Sequence, residues 1–128
     1  MLTIDKYSRV PIYEQIIRQV EMHIALGDLP PGAVLPSARN LSVQLSVNPN
    51  TLQKAYTELE RRGLCYTVPG SGRFIAPDAQ EKLRIARQAL LGEIRQTATQ
   101  LKQAGIALQD VLNAVTQAYH DEITGGSK

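Results

Sequence analysis

The sequence predicts a mostly helical protein with one small β-hairpin, ending in two helices that make only a thin core by themselves. Three observations carry that prediction. Apolar residues recur every three or four positions in five separate stretches. The pattern changes once, at Leu64-Cys-Tyr-Thr-Val68, where apolar, aromatic and β-branched residues run together ahead of a Pro69-Gly-Ser-Gly72 loop. Beyond Pro77, the last two periodic stretches each carry an apolar stripe, and two helices alone do not bury both.

In chain order, residues 1–10 read as extended and Pro11 opens the first helix. Ile12, Ile16, Val20 and Ile24 repeat every four residues, with Tyr13 and Ile17 beside them, so a buried stripe runs to about Leu26. Gly27 ends it, and Leu29-Pro-Pro-Gly32 is a turn. Ala33 to Leu35 has room for a short strand. Ser37 is an N-cap, Leu41 and Leu45 share a face one turn apart, and the short helix stops near Ser46. Asn48-Pro49 starts the next helix, because proline at the first helical position loses no hydrogen bond. Leu52, Ala55, Tyr56 and Leu59 form its buried stripe, and Gly63 ends it in a left-handed conformation. Leu64–Val68 and Arg73–Ile75 are the two strands of the hairpin. A long helix follows from Asp78 to about Ala104, marked by Leu83, Ala86, Leu90, Ile94, Thr97 and Leu101. Gly105 breaks it. Leu108, Val111, Leu112, Val115, Ala118 and Tyr119 define the final helix, and Thr124–Lys128 reads as a frayed tail.

Two short helices with a tight break, the second opening on small polar side chains, are the pattern of a helix-turn-helix. Asn50, Thr51, Gln53 and Lys54 lie off the apolar stripe at the start of that second helix. Amides pair bidentately with adenine, and a hydroxyl donates to a base or a phosphate. An ordinary amphipathic helix hairpin, polar on its outer face because it meets water, accounts for the same residues. Arg39 lies early in the preceding helix, where a guanidinium reaches phosphate or guanine, or simply water. Three helices followed by a hairpin make a winged helix, with Gly70, Ser71, Gly72 and Arg73 at the wing tip. The glycines serve either a hairpin turn at positive φ or close approach of backbone to a duplex.

The combination Leu35-Pro-Ser-x-Arg-x-Leu41, then Leu45-Ser-Val-Asn-Pro-Asn-Thr-Leu-Gln-Lys-Ala-Tyr-x-x-Leu-Glu-x-x-Gly63-Leu, then Gly70-Ser-Gly-Arg-Phe-Ile75, resembles the winged-helix domain of the GntR family of bacterial transcription regulators. The resemblance covers residues 9 to about 77, and the short C-terminal part resembles the YtrA-like subfamily. It implies a winged helix-turn-helix DNA-binding domain at residues 9–77, followed by a helical dimerisation segment at 78–124. It also implies a sequence-specific, homodimeric transcription regulator, a repressor, on a pseudo-palindromic operator in double-stranded DNA. The alternative function is a winged-helix protein-interaction module without specific DNA binding. The family's contact positions fall on Arg39, Asn48, Asn50, Thr51, Gln53, Lys54, Gly70 and Ser71. Two depart from the family pattern: Pro49 and Gln53 stand where relatives often carry arginine. Amide readout is therefore expected in place of guanidinium on guanine, with Lys54 and the helix N-terminus on phosphate. Asn48 serves as cap, contact, or both.

Composition narrows the class without choosing the function. The chain of 128 residues fits one modest domain with an appendage, and its formal charge is only +2. Residues 1–76 hold eight Lys/Arg against six Asp/Glu, while the remainder is balanced, so the positive excess lies in the N-terminal part. One cysteine, Cys65, permits no internal disulfide and reads as a small core residue. The N-terminus has no apolar signal region, and no run approaches the ~18 to 20 apolar residues of a membrane span, so a cytoplasmic protein is expected. His23 and His120 are isolated and read as structural, Arg61-Arg62 as complements to a helix end. No paired carboxylates, nucleophile–base set or metal spacing points to an enzyme. No cofactor is expected, and a small effector at a dimer interface stays open.

Overall fold

The computed structural model describes residues 2–121, which divide into two compact units, 2–83 and 84–121. Eight elements follow in order: α1 (Ile12–Leu26), β1 (Val34–Leu35), α2 (Ala38–Leu45), α3 (Pro49–Arg61), β2 (Cys65–Val68), β3 (Gly72–Ile75), α4 (Ala79–Gln103) and α5 (Leu108–His120). Every element expected from the sequence is present. The tail expected at Thr124–Lys128 lies outside the described residues.

Local chemistry sets most boundaries. Gly27 closes α1 at φ 92. The Ser37 hydroxyl accepts from the Asn40 N–H at 3.0 Å, and the Asn48 carboxamide oxygen accepts from the Asn50 N–H at 2.8 Å. These bonds satisfy helix-start donors that would otherwise need water. At the end of α3, Gly63 (φ 77) donates to Glu60 O at 2.9 Å and Leu64 N–H reaches Leu59 O at 3.0 Å. That is the Schellman arrangement, which needs a left-handed residue at the position glycine fills.

The core of the first unit is built by α1, α2, α3 and the sheet. Ile16, Ile17, Val20 and Ile24 from α1 meet Leu41 from α2 and Leu52, Ala55, Tyr56 and Leu59 from α3, with Leu64, Cys65 and Ile75 closing the sheet side. Burying one such aliphatic side chain is worth about 1.5–3 kcal/mol. Ala79 and Leu83, in the first two turns of α4, are buried in the same cluster. The compact unit therefore includes the six residues after Pro77.

The hairpin gains a third strand. The sheet order is β1-β3-β2, all antiparallel, with Val34 opposite Phe74 and Leu35 opposite Arg73. Residues 2–10 are also more than an extended lead. Leu2 is buried, and Gln15, itself buried within α1, accepts from Asp5 N–H and donates to Asp5 O and Val10 O, each at 2.9 Å. A glutamine pointing inward is tolerated because these bonds satisfy its amide.

The second unit is the rest of α4, a turn at Gly105 (φ 85), and α5. Its apolar side chains stay open: Leu90, Ile94, Leu108, Leu112, Val115 and Tyr119 are all exposed, and α5 buries no residue.

Candidate nucleic-acid interface

The turn between α2 and α3 is tightened by Ser46, whose φ of 55 is left-handed and uncommon for a residue with a side chain. Val47 N–H returns to Ser42 O at 3.0 Å, and the buried Ser42 hydroxyl donates to Arg39 O at 2.7 Å. Lys6, from the N-terminal segment, donates to Ser46 O at 3.1 Å and braces the turn from outside. Leu52, Ala55, Tyr56 and Leu59 hold α3 against the core, so its opposite face must show polar groups.

On that face Asn48, Asn50, Gln53 and Lys54 are exposed, and Thr51 is half-buried. Arg39 is exposed on α2. The side chains of Arg39, Asn50 and Gln53 make no ion pair or hydrogen bond among the described residues. Asn48 is occupied as the cap, as its sequence position suggests. Lys54 is positioned differently from a free anchor: its ammonium lies 4.4 Å from the centroid of the Tyr13 ring on α1. That cation–π contact steers the charge along the α1 side of the helix start. The sequence reading placed Tyr13 only beside a buried stripe, and no local signal pairs it with a lysine forty-one positions on.

The wing turn is defined. Ser71 N–H bonds Val68 O at 2.9 Å, Pro69 sits second and Gly70, at φ 80, third. This is a type II turn, which requires positive φ at its third residue. Open space surrounds Gly70, so backbone conformation and not crowding demands glycine there. Gly70 and Ser71 are both exposed. Behind them Tyr66 and Phe74 stack at 5.8 Å across the hairpin.

Three acidic side chains, Glu21, Glu58 and Glu60, hold Arg61, Arg62 and Arg73 beside this face. Glu58 receives Arg61 Nε at 2.8 Å and Arg62 Nε at 2.8 Å, and Arg62 Nη1 also reaches Glu21 on α1 at 2.8 Å. The Arg61 and then the Arg62 hydrogen bonds pull the Glu58 carboxyl down to about 2. Both arginines at the end of α3 are thus committed within the fold. Glu60 receives Arg73 Nε at 3.3 Å and Thr67 Oγ1 at 3.0 Å. Tyr56, pushed up to about 12 chiefly by burial, donates its hydroxyl to Pro36 O at 2.7 Å. Burial likewise raises Cys65 to about 11, which suits an inert core thiol. His23 Nδ1 lies 2.8 Å from Asp28 at the end of α1, a structural pairing. No group of three or more potential metal ligands occurs among the described residues.

Three helices with an exposed polar α3, followed by a glycine-tipped hairpin, define a winged helix-turn-helix. The family model for "Bacterial regulatory proteins, gntR family" matches residues 12–75. Over its whole length the chain is 36% identical to the HTH-type transcriptional repressor YtrA of Bacillus subtilis (strain 168), covering 98% of that protein. The structure of a GntR family transcriptional regulator from Listeria monocytogenes superposes with a TM-score of 0.65 at 32% identity, covering 89% of this chain and 98% of that one. The AraR DNA-binding domain, solved in complex with operator ORX1, matches with a TM-score of 0.54 at 29% identity, over 59% of this chain and 96% of that one. The chain belongs to the GntR family and is YtrA-like. It is a winged helix-turn-helix, DNA-binding transcription regulator and not an enzyme.

Proposed function

We propose that the protein is a homodimeric repressor that reads a pseudo-palindromic operator with two copies of α3 and two wings. The observation that carries the dimer is the open apolar face of the second unit, where Leu90, Ile94, Leu112 and Val115 are exposed at helical spacing. Contiguous apolar surface on a water-exposed helix pair calls for a partner, and a second copy offers the same face in return. Residues 78–124 are the dimerisation segment in this reading, and 9–77 carry the DNA contacts. The full-length similarity to a repressor, and the operator complex of a related DNA-binding domain, support the direction of control and the mode of binding. Arg39, Asn50, Thr51 and Gln53 are the base-reading and groove-facing groups. Lys54 and the N-terminus of α3 hold phosphate, Asn48 caps and contacts, and Gly70 with Ser71 enters the neighbouring minor groove. No helix among the described residues is long and apolar enough to cross a membrane. A DNA-binding regulator of a bacterial family works where the DNA is, and we place the protein in the cytoplasm.

Selection of genomic fragments by the purified full-length protein, followed by footprinting, tests the reading. The expected result is one enriched motif with two-fold symmetry, protected on two half-sites, bound with a steep loss of affinity as salt rises. Retention of no fragment above random DNA overturns it and leaves a protein partner as the function of the same face.

A further inference from the structure

A basic residue next to a wing tip is, by default, a phosphate contact. Arg73 is one residue past the Gly70-Ser71-Gly72 loop, yet its side chain is only 18% exposed. Its guanidinium faces inward. Nε lies 3.3 Å from Glu60 Oε1, and Cζ lies 5.2 Å from the centroid of the Tyr56 ring. The same Glu60 oxygen accepts from Thr67 Oγ1 at 3.0 Å. Thr67 and Arg73 are directly opposite each other in the β2–β3 register, and Arg73 is also opposite Leu35 of β1. One carboxylate oxygen thus holds both strands of the wing on a single rung, at the residue where all three strands meet. Glu60 and Tyr56 are one turn apart on α3, so both belong to one face of that helix. Tyr56 continues the connection by donating to Pro36 O, one residue before the cap of α2.

We propose that Glu60 and Arg73 form a tether that sets the position of the wing relative to α3, so that Arg73 is a positioning residue for DNA binding and not itself a phosphate contact. The inference rests on the proposed operator-binding mode. The physical argument is leverage. The tether grips the hairpin at Thr67 and Arg73, and the tip at Gly70 extends about 10 Å farther along the strand. Two strands on their own bend and twist readily, so a small rotation at the rung displaces the tip from a groove. A partly desolvated, doubly used carboxylate suppresses that rotation more than a solvated ion pair does.

The two roles of Arg73 predict opposite signs at Glu60. If Arg73 serves phosphate, Glu60 competes with DNA for it, and its removal strengthens binding. If Arg73 is tethered, removal of Glu60 loosens the wing and weakens binding. The test uses the full-length protein and the operator obtained by selection, with affinity at two salt concentrations, hydroxyl-radical footprints and thermal melts for Glu60→Ala, Glu60→Gln, Arg73→Gln and the double variant Glu60→Ala with Arg73→Gln. The expected result is that Glu60→Ala and Arg73→Gln each lose about tenfold in operator affinity, within the range of coupled neighbours, and that the double variant loses no more than the worse single. Their salt slopes match the parent's, protection by α3 persists, and protection by the wing fades. Glu60→Gln, whose amide oxygen still accepts from Thr67 and Arg73, retains most of the affinity. Glu60→Ala binding as tightly as the parent or tighter, or Arg73→Gln lowering the salt slope by about one unit, overturns the tether. Hydrogen exchange provides a reading free of DNA. The tether predicts faster exchange of the β2–β3 amides in Glu60→Ala, and unchanged exchange overturns it even where the melt shows a weakened fold. Failure of the operator-binding mode appears in the parent protein instead, as loss of selectivity between operator and random duplex.

Discussion

The two units of this chain use apolar residues in opposite ways. In the first, the stripes of α1 and α3 face each other and the sheet, and Ile16, Leu52, Leu59 and Ile75 are sealed from water. Away from the outer face of α3, its polar groups are engaged as well: Gln15 with the N-terminal segment, Glu58 with two arginines, Glu60 with the wing. In the second, the stripes of α4 and α5 are as regular in sequence but remain open, and no residue of α5 is buried. The first unit closes its core within one chain; the second leaves its apolar face open to water. A regular apolar stripe therefore predicts burial, but not whether the covering surface belongs to the same molecule.

Charging the open face should separate the two units most clearly. Ile94→Glu combined with Val115→Glu should turn a dimer into a monomer by light scattering at tens of micromolar, an order-of-magnitude choice for an interface of this kind. Operator affinity should fall by roughly 100- to 10,000-fold, because the second half-site loses its tethered partner. A parent that is already monomeric at that concentration removes the basis of the proposal.

The same chemistry in the closed unit should act on stability first. Leu52→Ala should cost roughly 2–5 kcal/mol of unfolding free energy, from lost transfer energy and a cavity beneath α3. Leu112→Ala, at an exposed position, should cost far less in a dissociated chain. Equal losses measured by denaturant in the monomeric background would erase the distinction between the units.

Within the closed unit, the outer face of α3 divides by chemistry. Asn50→Ala or Gln53→Ala should cost about 1–3 kcal/mol on operator and little on random duplex, the value of a bidentate base contact. Lys54→Ala should weaken both duplexes alike and reduce the salt slope by about one unit. Equal losses on both duplexes for the amide variants would mean that they position the helix and that sequence is read by Thr51, Arg39 or DNA shape.

The smallest expected effect concerns pH. Glu58 is held at about 2, below its ordinary 4.5, by Arg61 and Arg62. A depressed carboxyl contributes stability that is present above its unfolded value and lost as pH falls through the folded one. Thermal melts should therefore show the parent's advantage over Glu58→Gln shrinking between about pH 4.5 and 2, with no change near neutrality. The group is near the surface, so added salt should reduce the advantage. An advantage that persists undiminished at pH 2 would mean that Glu58 contributes through packing and not through its charge.

The elements, their order and the family were legible in the residues alone, because the signals for these are short-range. Caps at Ser37 and Asn48-Pro49, a left-handed stop at Gly63 and the turn at Pro69-Gly70 act within a few residues of themselves, and each appears where its residue type demands. The exposed amides on α3 were legible for the same reason, since helical periodicity states which side chains cannot be in the core. Which distant residues meet was settled by packing. Val34–Leu35 became the third strand because β3 offered it an edge. The core continued to Leu83 because the first turns of α4 lie against it, and Gln15 was buried because the N-terminal backbone could satisfy its amide. Lys54 stays exposed but lies over Tyr13, and Arg73, beside the wing loop, is turned onto Glu60 by packing. Pairings of this kind depend on the three-dimensional closure of helices and sheet around one core, and no local propensity in the chain encodes them.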